Sequence, residues 1–485
     1  QGGGRIFANS AGSSATFGLS EVVDRIDVFL SHNWSVHRLK KFIALTCYFS
    51  FDIAAIITIS LASLIGLGTW FGVVPSPAYP KVLAPYPCGV LCRVLGVPLF
   101  FLLLFFTRDI LARLGHAGPL VFLDKTCIHQ VDLDIQRQGI LKLGAFIRKS
   151  EQMVVLYSDV YMLKLWTVYE VASFLAIHPI RSMKVVPVSQ SIVFCICLVF
   201  LYFYSLATLM LQIYVSYSYI AFLTAFIAAA FHSVGLRRWS RDRAAIQSRL
   251  GNFSVRNCVC FIEADRALVC RNIAALMKAR RVVHMDATQD EALDAFEVLV
   301  RTDLPSAFVT ALGRRSFKYK QYLMFAFAAQ GCLSLDYLGY QANLPYRSLL
   351  AFALLQFALV FFQWPMAFLL VETTSACCLH WHGWRERMWL FVSLIFFVLL
   401  PAFLSFLTFL TLREMANESD WALVALCVLD IVGSLAIFVI ASDRQRRDNS
   451  MSGHGSWTDS MTLAGTTAQL VGHAESALSE MSEAN

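Results

Sequence analysis

The stretch DVFLSHNW at residues 27–34 decides the fold of this chain, because it is a short apolar run that ends in polar side chains. A run of this kind, too short for a helix, is typical of a strand buried on both faces of a parallel sheet. Three later runs have the same character: VFLDK at 121–125, MVVLYS at 153–158 and KVVPV at 184–188. The sequence therefore predicts strands at 27–31, 120–123, 153–157 and 184–188.

Helical stretches separate the later strands, at 139–149 and 163–176. Strands that alternate with helices indicate a doubly wound parallel sheet, which is an α/β fold of the flavodoxin-like kind. Strands 27–31 and 153–157 are predicted to be neighbours in that sheet. A fifth strand is predicted at 258–262.

The composition indicates a membrane protein. Of the 485 residues, 57% are hydrophobic and 15% are charged, with a mean hydropathy of +0.60. Soluble domains carry about 25% charged residues. Runs of about 20 apolar residues are long enough to cross a bilayer as helices. Eight such spans are predicted, at 42–73, 89–107, 188–210, 214–234, 322–340, 349–371, 388–412 and 421–441.

The positive charges indicate the orientation of these spans. If the N-terminus is cytosolic, 36 of the 40 Lys and Arg residues fall in cytosolic stretches, as the positive-inside rule requires. Both termini are therefore predicted to be cytosolic in a multi-pass protein. The predicted units are an N-terminal segment with the first strand (1–38), a first membrane hairpin (39–107), the rest of the α/β domain (108–187), a second hairpin (188–234), a cytosolic helical region (235–320), four further spans (321–441) and a disordered tail (442–485).

The α/β part resembles the TIR domain, a signalling and NAD-cleaving module. DVFLSHNW resembles the first strand of that family and VFLDK resembles the second. SEQMVVLYSDVY at 150–161 resembles the third strand with the turn after it, and KVVPV resembles the fourth. LWTVYE at 165–170 resembles the family's helix motif Trp-x-x-x-Glu. The matched motifs cover a quarter to a third of the chain, in the family's order. The arrangement as a whole resembles multi-pass TIR-like proteins of protists.

The resemblance implies a site and a mode of action. Residues 126–138 occupy the place of the family's interaction loop, which implies homotypic assembly. Glu170 falls on the catalytic position for cleavage of the bond between nicotinamide and ribose in NAD, with Trp166 in support. A carboxylate there steadies an oxocarbenium-like transition state. The residues at the top of the sheet that would form the NAD pocket are Ser31, His32, Asn33, Trp34 and Asp124.

The chain departs from the TIR family in one respect: a membrane hairpin is predicted where TIR domains have their first helix. This departure favours a scaffold function over catalysis. The preferred interpretation is a membrane-integral signalling or scaffold protein. The first alternative is a membrane-held NAD+ nucleosidase that uses Glu170, with NAD as substrate. The second is a channel or transporter with a TIR-like regulatory domain. The signalling or scaffold interpretation requires no cofactor.

Other polar clusters favour structural roles. Cys377, Cys378, His380 and His382 are spaced too tightly for a usual zinc site, so no metal is predicted. Asp52 and Arg93 are predicted to pair within the first hairpin. The Arg-rich run at 237–243 is expected to contact anionic lipid headgroups, with the bilayer as partner and not a nucleic acid.

Overall fold

The computed structural model of the chain describes residues 2–8, 11–77, 88–116, 118–213, 218–260, 263, 265–312, 317–343 and 346–365, with positions 368, 369, 372, 383–385, 387–389, 391 and 432. The predicted spans 388–412 and 421–441, the segment 377–382 and the tail 442–485 lie almost entirely outside these residues.

A four-stranded parallel sheet organises the first part of the chain. Its strands are β1 Ile26–Ser31, β2 Val121–Phe122, β3 Ser150–Tyr157 and β4 Met183–Pro187. The order is β2–β1–β3–β4, and every pairing is parallel. β1 and β3 are neighbours, with Ser31 opposite Val155. The four predicted strands and the predicted adjacency of β1 and β3 are therefore confirmed.

In the described part of the chain, eight helices precede or separate the strands. They are α1 Ser14–Phe17, α2 Arg38–Phe49, α3 Phe51–Trp70, α4 Leu91–Arg113, α5 Asp124–Cys127, α6 Leu133–Leu141, α7 Leu143–Lys149 and α8 Leu165–Ile177. Short 3₁₀ turns occur at Gly2–Phe7, Tyr161–Leu163 and Ile180–Ser182. The segment 126–138, predicted as a loop, is partly helical, because it contains the end of α5 and the start of α6.

The helices that follow β4 are α9 Val188–Ile213, α10 Ser218–Gly251, α11 Asp265–Ala279, α12 Gln289–Thr302, α13 Leu304–Leu312, α14 Tyr319–Ala326, α15 Cys332–Asp336, α16 Leu338–Gln341 and α17 Tyr346–Ala358. Two π-helical segments interrupt the later helices, at Phe327–Gly331 and Leu359–Gln363. The predicted strand at 258–262 is wrong for the residues described there: Val259 forms one isolated parallel bridge with Lys164.

Each face of the sheet is covered by its own apolar core, because side chains alternate along a strand. On one face, Phe29, Met153 and Val155 pack with α7 and α8, and the same core continues into α11, α12 and α13. On the other face, Val28 and Leu30 pack with residues of α2 and with Phe7. The region 235–320 is thus packed onto the α/β part through the first of these cores.

Helix α2 corrects the prediction that a membrane hairpin replaces the first helix of the α/β fold. The run predicted as one span from residue 42 is divided at Ser50, where α2 ends and α3 begins. Lys41 and Ala44 of α2 are buried, and Leu45 and Tyr48 pack on the sheet. α2 therefore covers the sheet, and the apolar helix begins only at Phe51.

Three of the described helices are long and apolar enough to cross a membrane by length and composition: Phe51–Trp70, Leu91–Arg113 and the Val188–Met210 part of α9. Three of the eight predicted spans correspond to them. The predicted span 214–234 falls in α10 from Ser218 onward, and α10 continues without a break to Gly251. The predicted span 322–340 is divided among α14, a π-helical segment, α15 and α16. Neither is among the three.

The predicted pairing of Asp52 with Arg93 is wrong. Arg93 Nε lies 3.0 Å from Asp336 Oδ2, and both side chains are inaccessible to solvent. Asp52 instead pairs with Lys320 at 2.5 Å on an exposed surface. Asp336 also accepts the backbone N–H groups of Cys92 and Arg93 at 2.9 and 3.1 Å. It therefore caps the first turn of α4, whose own carbonyls cannot reach those groups.

Candidate functional site

The carboxyl edge of the sheet brings together most of the residues predicted for the site. β1 ends at Ser31, β2 leads into Asp124, and β3 ends at Tyr157. Parallel strands place these ends at one edge, and the chain connections diverge between β1 and β3. In open α/β sheets this point is where ligands bind.

Glu170 of α8 reaches this edge on the face covered by α7 and α8. Ser31 Oγ donates a hydrogen bond to Glu170 Oε2 at 2.5 Å, and the Tyr161 hydroxyl lies 2.5 Å from the same Ser31 oxygen. A serine hydroxyl has one proton. With that proton on the Glu170 side, the Tyr161 hydroxyl is the donor to Ser31, and a chain Tyr161–Ser31–Glu170 results.

The environment of Glu170 favours its protonated form. Burial raises the pKa of the carboxyl group to about 8; the Ser31 hydrogen bond lowers it, and the charge of Asp124 raises it further. The pKa of Tyr161 also lies well above its ordinary value, first because of burial and then because of Glu170. At neutral pH Glu170 is therefore mostly uncharged, and it is suited to donate a proton more than to stabilise a cation.

Trp166 lies one turn before Glu170 on α8, but its indole extends toward α11. Its indole is hydrogen-bonded to Asp265. Burial raises the pKa of Asp265, and this hydrogen bond lowers it. The Trp166 ring lies 6.0 Å from the ring of Tyr169. Trp166 packs against the core between the sheet and α11. These contacts give Trp166 a structural role in the core.

His32 and Trp34 face the opposite side of β1, toward α2. Their rings meet edge to face at 4.6 Å, and Trp34 Nε1 donates to Asp124 Oδ2 at 2.8 Å. The pKa of His32 is lowered to about 4, mainly by burial. The negative charge of Asp124 raises this pKa, and the positive charge of Lys41 lowers it. His32 is therefore neutral at pH 7.

Asn33 shapes the turn that follows β1. Its side-chain oxygen accepts the backbone N–H and the hydroxyl of Ser35 at 2.9 and 3.0 Å. This is the Asx-turn that asparagine commonly makes.

Three residues of the edge were missed by reasoning from the sequence. Tyr161 follows β3 by four positions, and the rule that strand ends carry site residues could have found it. Lys41 directly precedes the predicted membrane span at 42–73. Only the break between α2 and α3 at Ser50 shows that Lys41 faces the sheet. Nothing in the sequence connects Phe7 to the edge, although its ring lies 5.4 Å from that of His32.

Among the residues that the structure describes, no group of three or more His, Cys, Asp or Glu side chains is placed to hold a metal ion. Cys377, Cys378, His380 and His382 lie outside them. No protein-family model, no curated protein and no solved structure matches this chain.

Proposed function

We propose that this chain is a membrane-integral signalling or scaffold protein whose TIR-like domain acts by contact with a second copy of itself. The strand order β2–β1–β3–β4 supports the domain assignment, because it is the start of the flavodoxin-like order 2-1-3-4-5. Helix α2 supports it as well, since it supplies the helix expected after the first strand. The three long apolar helices and the distribution of Lys and Arg support a membrane setting.

The observation that carries the contact function is a group of exposed apolar side chains in the segment 126–138. Val131, Leu133 and Ile135 are 59%, 75% and 45% exposed. The carboxylate of Asp132 accepts the backbone N–H groups of Asp134 and Ile135 at 3.0 and 3.1 Å and so caps α6. The apolar side chains are therefore presented on an ordered helix start, and clustered exposed apolar groups mark interaction sites.

The test measures association of full-length chains in liposomes. Two populations labelled with donor and acceptor fluorophores are mixed at low surface density, and energy transfer is recorded. Leu133→Glu is expected to reduce association at least tenfold, because a charge at the centre of an apolar contact must be desolvated. The matched control is Val298→Glu, at an apolar position of α12 that is 58% exposed. Equal loss in both variants, or no association of the wild type, would reject the proposal.

The alternative of an NAD-cleaving enzyme rests on the position of Glu170 beside Ser31 at the carboxyl edge. A carboxylate that stabilises an oxocarbenium-like state must be ionised, and the raised pKa of Glu170 works against this at neutral pH. The assay is nicotinamide release from NAD by the purified chain, at pH 7 and at pH 9. The enzyme alternative requires turnover that rises with pH and is lost about a hundredfold or more in Glu170→Gln. The contact function predicts no nicotinamide release, either by the wild type or by Glu170→Gln.

A further inference from the structure

A buried lysine at the carboxyl edge of β1 has no hydrogen-bond partner among the residues that the structure describes. Lys41 of α2 is 0% exposed, and its Nζ makes no hydrogen bond to a described residue. Its ammonium lies 4.6 Å from the centre of the Trp34 ring and 5.5 Å from that of Phe7. Removing an ammonium from water without hydrogen-bond acceptors is costly, and aromatic rings replace only part of the lost hydration. The site is thus built to hold a cation and lacks an acceptor for it.

Two more buried nitrogen atoms lie in the same stretch of chain. His32 Nε2 and Asn33 Nδ2 are also without a hydrogen-bond partner among the described residues, and both residues are more than nine-tenths buried. His32 and Lys41 are close enough for the charge of Lys41 to lower the pKa of His32. Lys41 and the rings of His32 and Trp34 meet on the α2 side of β1, whereas Ser31 and Glu170 meet on the other side.

The local charge favours an anion. Lys41 and Lys125 both lie beside Trp34, with their ammonium groups 4.6 and 5.7 Å from its ring. The carboxylate of Asp124 is already engaged by Trp34 Nε1 and by the backbone N–H of Lys125.

The N-terminal segment Gly2–Phe7 covers these groups. The Phe7 ring contacts His32, Trp34 and Lys41, and the carbonyl of Ile6 accepts a hydrogen bond from Lys125 Nζ at 3.2 Å. Residues 2–4 are glycines, so the segment has few side chains to hold it in place. A ligand can therefore reach Lys41 by displacing Phe7.

We propose that a phosphate group binds against Lys41 at the carboxyl edge of β1, where it displaces Phe7. A phosphate offers several acceptor oxygens to the ammonium group of Lys41, and lysine binds it as a point charge. The phosphate can belong to a soluble molecule or to a lipid headgroup. The second source is within reach, because α2 leads directly into α3 and Phe51 follows Lys41 by ten positions, about 15 Å at the rise of a helix. The proposal does not depend on the contact function or on Glu170.

The experiment uses the full-length chain in nanodiscs of phosphatidylcholine. Pyrophosphate is titrated by calorimetry to test the soluble source. For the lipid source, the chain binds vesicles that contain a phosphatidylinositol phosphate, with phosphatidylcholine vesicles as reference. Lys41→Met keeps the length of the side chain and removes its charge; it is expected to weaken binding about ten- to hundredfold. The neighbouring Lys40 is exposed, and Lys40→Met is the matched control with binding unchanged.

Two further readouts keep the result interpretable. Phe7→Ala is expected to tighten binding about tenfold, because the ligand no longer competes with the buried ring. Lys41→Met is expected to raise the melting temperature of the ligand-free chain, since it removes a buried charge that lacks acceptors, and this also shows that the variant folds. Absence of saturable binding to both probes, an equal loss in Lys40→Met, or unchanged affinity in Phe7→Ala would overturn the proposal.

Discussion

The ion pair between Arg93 and Asp336 joins α4 to α15 within the apolar helices, and its removal gives a measurable stability change. Asp336→Asn keeps the shape of the side chain and removes its charge. Arg93 then loses the carboxylate that pairs with it, in a site where both side chains are 0–1% exposed. Breaking a buried pair on one side costs about 3–5 kcal/mol. The N–H groups of Cys92 and Arg93 also lose a charged acceptor, which places the expected loss at the upper part of that range.

The assay is equilibrium unfolding in mixed micelles, followed by tryptophan fluorescence. A loss of about 3 kcal/mol changes the unfolding constant more than a hundredfold. The double variant Arg93→Met with Asp336→Asn is expected to recover part of the loss, because it removes both charges together. The control is Asp52→Asn, which breaks the exposed pair with Lys320 and should cost less than about 1 kcal/mol. A cost for Asp336→Asn no larger than this control would refute the reasoning.

Two further predictions concern buried carboxyl groups. With a pKa of about 8, folded Glu170 holds a proton that the unfolded chain releases near pH 4.5, so its contribution to stability falls as the pH rises from about 4.5 to about 8. The melting temperature should fall over this window more in the wild type than in Glu170→Gln; parallel curves for the two would contradict the assignment. Glu297 is 6% exposed and accepts hydrogen bonds from Ser254, the Val255 N–H and Arg301. Glu297→Ala should cost about 3 kcal/mol in chemical denaturation, against less than about 1 kcal/mol for the exposed Asp294→Ala.

The strands could be predicted from the sequence because strands buried on both faces are continuous apolar runs. β1 and β3 were located in this way to within three residues at either end. The same property misled the prediction for α2, since its apolar residues run on into α3 and look like one long span. α2 covers the sheet through Ala44, which shares an apolar core with Val28 and Val154, and through Tyr48, which donates a hydrogen bond to Gln152 of β3. No local pattern in the sequence reports that packing.

The site was predictable where it follows strand ends and unpredictable where it depends on distant partners. Ser31, Asp124 and Glu170 come from motifs next to strands or on α8. The partner of Arg93 could not be found, because Asp336 lies more than two hundred positions later and a single sequence carries no pairing signal. Lys41 was missed for a related reason, since its burial follows from the break between α2 and α3.

The order of the strands along the chain has a consequence for biogenesis. β1 is synthesised first, yet both of its partners, β2 and β3, come after the apolar helices α3 and α4. β1 therefore has no strand partner until β2 has been synthesised, and one of its edges stays unpaired until β3 is complete at Tyr157. Such edges pair readily with other chains. A nascent chain that stalls after α4 is thus expected to be a substrate for holdase chaperones, and truncated chains that end before β3 are expected to aggregate.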